Sequence, residues 1–129
     1  MMIEVEMSNL GVLPTANGAG IALFVSGSQQ RFGAVYDRRG GQVRLFKRAS
    51  NGSQTDVAVA SVGSFGTVVL TVVISQPEIT VLVGGSGVLS YTMSSAELSQ
   101  YGSSTQFGMT ALQDKDTEFE YFRVVGLSP

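Results

Sequence analysis

TVVLTVVISQPEITVLVGGSGVLSYTM, running from Thr67 to Met93, is the stretch from which the fold is read. Between Thr67 and Ser75, Val68, Leu70, Val72 and Ile74 fall on one face of an extended chain, while Val69 and Val73 fall on the other. Apolar residues on both faces predict a central strand covered from both sides. Gln76-Pro77 then turns the chain into a strand from Glu78 to Val83. Gly84-Gly85-Ser86-Gly87 turns it again, into Val88 to Met93.

The same pattern extends outward in both directions. Met1 to Met7 alternates, with Ile3, Val5 and Met7 on one face and Glu4 and Glu6 on the other, as in a half-buried antiparallel strand. A loop from Ser8 to Gly20, holding Pro14, Asn17 and Gly18, precedes a strand at Ile21 to Val25, which is broken at Ser26-Gly27-Ser28. Arg31 to Asp37 and Gln42 to Arg48 form a hairpin about Arg38-Arg39-Gly40-Gly41, and Asn51-Gly52 turns the chain into Gln54 to Val62. Downstream, Ser94-Ser95-Ala96-Glu97 has capping-box spacing and predicts one short helical turn closed by Gly102. Gln106 to Leu112 and Glu118 to Val125 complete about ten strands. The fold class is all-β: an antiparallel two-sheet jelly-roll sandwich forming a single domain over residues 1 to 129.

Composition narrows the chemistry. The chain is 43% hydrophobic and 14% charged, with no Cys, His or Trp. Disulfides, thiolate or imidazole metal sites, and triads that need His or a Cys nucleophile are therefore excluded. No apolar run approaches the ~20 residues of a membrane-spanning helix, and MMIEVEM lacks the basic and apolar regions of a secretion signal. Net charge is -2, yet residues 31 to 48 hold six of the eight bases against one acid, Asp37. An acidic protein with one basic hairpin argues against a nucleic-acid partner and for a local anionic one.

If Asp37 pairs with Gln42, then Phe32, Ala34, Tyr36, Val43 and Leu45 share the core face, with Lys47 snorkelling at its margin. Arg31, Gly33, Val35, Asp37, Gln42, Arg44, Phe46 and Arg48 share the other face. There Arg31, Arg44, Phe46 and Arg48 are the candidate ligand-binding residues, because guanidinium groups beside an aromatic ring packed over Gly33 suit sugar stacking and carboxylate or sulfate recognition. The competing reading of that face is an ordinary solvated sheet surface. Gly84 to Gly87 lacks the following Lys and helix of a phosphate loop and is a turn. Tyr91, Tyr101 and Tyr121 are read as core or edge packing rather than as a binding groove.

Five segments together resemble a known family. GAGIALFV (Gly18 to Val25), FGAVYDRRGGQVRLFKR (Phe32 to Arg48), TVVLTVVISQPEITVLVGGSGV (Thr67 to Val88), STQFGMTAL (Ser104 to Leu112) and FEYFRVVGL (Phe119 to Leu127) resemble consecutive strands of concanavalin A-like, laminin-G-like lectin-type domains. That group includes sugar-binding lectins, glycanases, adhesion modules and domains of bacteriophage tail proteins. Its glycanases carry an alternating acidic triad, for which Asp116, Glu118 and Glu120 are the counterpart here. Their order departs from the family's Glu, Asp, Glu, and there is no Trp to line subsites. A rim calcium of the laminin-G-like kind implies Asp114, Asp116 and Glu118 as oxygen ligands, although the twelve-residue loop pattern is absent. Such domains often carry a further strand before the region matching Met1 to Met7. Its absence implies an unclosed sheet edge near the N-terminus, available to a neighbouring chain.

The resulting expectation is a non-catalytic binding module for a glycan or other cell-surface ligand, extracellular or on a phage particle, with no cofactor apart from the calcium candidate. A structural virion or tail assembly subunit, self-associating or completed by a neighbouring virion protein, is the alternative. A glycoside hydrolase-like enzyme comes third.

Overall fold

Burial along the central run follows the expected alternation: Leu70 and Val72 are fully buried and Ile74 nearly so, whereas Val69 and Val73 are half-buried. The computed structural model describes residues 1–8, 18–27, 29–104, 106–111 and 118–125. In chain order the elements are β1 (Met2–Ser8), β2 (Ala19–Ser26), β3 (Gln30–Asp37), β4 (Gln42–Arg48), β5 (Gln54–Ser61), β6 (Val68–Ser75), β7 (Glu78–Val83), β8 (Ser86–Thr92), α1 (Ser95–Tyr101), β9 (Gly108–Ala111) and β10 (Glu118–Val125). They form two five-stranded sheets, ordered β10-β1-β6-β7-β8 and β5-β4-β3-β2-β9, with every strand pair antiparallel. β6, read from sequence as central, is the middle strand of the first sheet, and β3 is the middle strand of the second.

One core lies between the sheets. Ile3, Val5 and Met7 of β1 and Leu70 and Val72 of β6 pack against Ile21 and Leu23 of β2, Phe32, Ala34 and Tyr36 of β3, and Val43 and Leu45 of β4. Tyr36 also carries polarity inward: its hydroxyl donates to the Gly63 carbonyl at 2.6 Å and accepts from the Phe65 N–H at 2.7 Å. This anchors the loop between β5 and β6 to the second sheet.

Three local readings shift. Gly84 and Gly85 both have positive φ, the signature of a two-residue hairpin turn, so β8 starts at Ser86 rather than after a four-residue turn. The capping box of α1 forms as expected, while Gly102 closes the helix in right-handed geometry. The third shift concerns the N-terminal edge. β1 is hydrogen-bonded to β10 on one side and β6 on the other, so the open edge expected there is not on β1; β10 and β8 bound that sheet. Glu4, instead of guarding an edge, fastens β10 across β1: Arg123 Nη2 lies 2.5 Å from its Oε1, and the Tyr121 hydroxyl donates to it at 2.9 Å. The Tyr121 hydrogen bond does most to lower the Glu4 pKa, burial opposes it, and Arg123 lowers it further.

Candidate functional site

The outward face of the β3–β4 hairpin assembles as the spacing predicted. Asp37 pairs with Gln42, Val35 with Arg44, Gly33 with Phe46 and Arg31 with Arg48, so Arg31, Arg44, Phe46 and Arg48 share one surface. Gly33 is required here by close approach, since a Cβ at that position would lie 2.2 Å from the Phe46 ring. The Phe46 ring therefore packs directly over Gly33 of β3.

That packing corrects one role. Phe46 is 1% exposed and Val35 is fully buried, so the ring is a floor and does not offer its face to solvent for stacking on a sugar. The Arg48 guanidinium carbon sits 6.0 Å from the Phe46 ring centroid, and Arg48 Nη2 donates to Gln54 Oε1 at 2.6 Å. Arg48 Nε is buried and has no hydrogen-bond partner among the described residues. Arg44, with its side chain 16% exposed, lies 4.0 Å from Asp56 Oδ2. Gln54 and Asp56 escaped sequence reading as members of this surface. The signal was present in the Asn51-Gly52 turn, which folds β5 beside β4 and sets Arg48 opposite Gln54 and Phe46 opposite Asp56.

Lys47, read as snorkelling from the margin of the core, has a specific partner. Its Nζ lies 3.0 Å from Glu97 Oε2 on α1, and the Tyr91 hydroxyl of β8 donates to the same carboxylate at 2.7 Å. α1 is thus bolted to both sheets at the end where Arg31 and Arg48 lie. Tyr101 is buried in the core, Tyr91 is packed against it, and Tyr121 is exposed on β10.

Asp114 and Asp116 of the acidic triad and calcium candidate lie outside the described residues, as does the side chain of Glu118. Glu120 is exposed on β10 and accepts from Ser8 Oγ at 2.5 Å. Among the described residues there is no cluster of three acidic, His or Cys groups that would hold a metal, and no helix long and apolar enough to cross a membrane.

No family model and no curated protein matches this chain. Solved structures do. The carbohydrate-binding module CBM66 from Bacillus subtilis superposes with a TM-score of 0.68 at 15% identity, covering 94% of this chain and 68% of that one. A tetrameric galectin from the sponge Cinachyrella sp. gives 0.63 at 15% identity over 95% of this chain and 89% of its own. Sheep galectin-11 gives 0.61 at 12% identity over 95% and 86%. The fold is therefore a concanavalin A-like β-sandwich. The GH43 protein BlXynB of Bacillus licheniformis also matches, with a TM-score of 0.63 and 14% identity, over 26% of that longer chain.

Proposed function

We propose that this chain is a non-catalytic glycan-binding module, acting outside the cell, that engages an anionic sugar through the outward face of β3, β4 and β5. The observation carrying this reading is the placement of Arg31 directly opposite Arg48, with Arg44 further along β4, on the rigid floor of Phe46 and Gly33. Like charges set opposite one another in a sheet cost stability. A carboxylate or sulfate bound between them offsets that cost with charge-assisted, bidentate hydrogen bonds. The likeness to a carbohydrate-binding module and to galectins supports the glycan class and the absence of catalysis. The assembly-subunit alternative drew on an open edge at β1, and pairing of β1 on both sides removes that support.

The test is the Arg44→Ser/Arg48→Ser double variant, screened with the parent on neutral, uronate-containing and sulfated glycans across a salt series. Acidic glycans should bind the parent in a salt-dependent way and bind the variant about tenfold or more weakly. Equal binding by both proteins at every salt concentration would remove the arginine face from the reading. Polysaccharide turnover lost in Glu118→Gln or Glu120→Gln would overturn its non-catalytic half.

A further inference from the structure

We infer that a second pocket at the end of the sandwich, uncharged in its described lining, binds a neutral polyhydroxyl ligand, a single sugar ring or the uncharged terminus of a glycan. The cavity is ≈ 320 Å³, open to solvent, and lined by Val25, Ser26, Gly27, Ser103, Ser104 and Gln106. That volume lies at the small end of ligand-pocket sizes.

Its origin is a break in the alternation of β2. Ile21 and Leu23 point into the core, so a regular strand would turn Phe24 outward. Instead Phe24 takes φ 52, a left-handed conformation unusual for a bulky residue, and is buried in the core beside Leu23. Edge contact with Phe32 at 6.1 Å and tilted contact with Phe107 at 5.8 Å between ring centroids offset the backbone strain. The register with β3 slips at the same place, between Leu23 and Ser26. Val25 to Gly27 are thereby bent against the segment preceding β9: the Val25 N–H donates to the Gln106 carbonyl at 2.9 Å, and Ser104 Oγ donates to the Val25 carbonyl. These two hydrogen bonds tie the two sides of the wall together, the kind of preorganisation a binding site uses.

The lining selects the ligand class. The hydroxyls of Ser26 and Ser103 and the Gln106 carboxamide each both donate and accept, which matches the hydroxyls of a sugar, while Ser104 Oγ has committed its proton to the Val25 carbonyl; none of the six lining residues is ionisable. Among the described residues no hydrogen bond engages the side chains of Ser26, Ser103 or Gln106, so their polar groups remain available to a ligand. Among the described residues of the lining, none offers an anion a counter-charge. This pocket is distinct from the arginine face in both residues and chemistry, and it stands whether or not that face binds an acidic glycan.

The test is an amide chemical-shift titration of the isotope-labelled protein with D-glucose, D-galactose and D-mannose, each alone, at low and high salt. The expected result is saturable shifts at Ser26, Gly27, Ser103 and Ser104 with at least one hexose in the millimolar range, unchanged by salt and by Arg44→Ser/Arg48→Ser. Gln106→Leu should weaken that affinity on the order of tenfold, the worth of one or two lost hydrogen bonds. Ser103→Leu, which crowds the cavity, should do the same, and both variants should keep the parent's spectral dispersion because these side chains are exposed. Absence of saturable shifts with all three hexoses, equal affinity in both variants, or an effect that salt abolishes would overturn the proposal. Loss in the arginine variant alone would assign hexose binding to the arginine face instead.

Discussion

Glu97 is 5% exposed, yet its carboxylate accepts hydrogen bonds from the Ser94 N–H at 2.8 Å and the Tyr91 hydroxyl at 2.7 Å, and pairs with Lys47 Nζ at 3.0 Å. Burial pushes its pKa up. The bonds from the Ser94 amide, the Tyr91 hydroxyl and the Lys47 ammonium outweigh burial and hold the carboxyl at about 2, against an ordinary 4.5. A folded pKa below the unfolded one means that the unfolded chain takes up its proton first as pH falls. The stabilisation is therefore fully present above the ordinary value and is lost as pH drops through about 2. The gap corresponds to about 3 kcal/mol. Glu97→Gln keeps the shape and an acceptor for Ser94 and Tyr91 but removes the charge, while Lys47 can turn its ammonium to water. The expected destabilisation at neutral pH is about 2–3 kcal/mol, shrinking toward zero near pH 2 as the parent loses the same contribution. Urea unfolding followed by tyrosine fluorescence, which no Trp obscures here, measures both proteins across that range. A phenol titration adds an independent readout. Burial first, and then Glu97, push Tyr91 up to about 12, so the variant should titrate lower while staying above an exposed tyrosine. A penalty under about 0.5 kcal/mol, or one equal at neutral and strongly acid pH, would refute the reasoning.

Leu70→Ala, at a fully buried position of the central strand, should cost about 2–5 kcal/mol in chemical denaturation. Gly33→Val should cost about 1–3 kcal/mol, because its Cβ would fall 2.2 Å from the Phe46 ring; the displaced ring should also weaken any acidic-glycan binding by moving Arg48. A Gly33→Val protein with unchanged stability would show that Phe46 is free to move. Arg44→Ser/Arg48→Ser should lose about 1 kcal/mol rather than nothing, since Arg44 is part-buried beside Asp56 and Arg48 holds Gln54.

Alternation within single strands was legible because it is local: Ile3, Val5 and Met7, or Val68, Leu70, Val72 and Ile74, declare a buried face through period two alone. The same locality made the β3–β4 register readable, since a four-residue turn fixes which residues face each other, and with it the shared surface of Arg31, Arg44, Phe46 and Arg48. The capping box at Ser94 was legible for the same reason. What lies across a sheet was not. Alternation placed Phe46 on an outer face over Gly33, but only the burial of its ring in the folded chain decided that it is a floor and not a platform. Lys47 meets Glu97 across 50 residues, and β1 finds β10 and β6 on its two sides; no periodicity within β1 says which strands those are. The left-handed Phe24 breaks the local rule outright, because burying a second ring beside Leu23 outweighs the strain of turning the strand over. That gain exists only once Phe32 and Phe107 have been brought together by the tertiary fold.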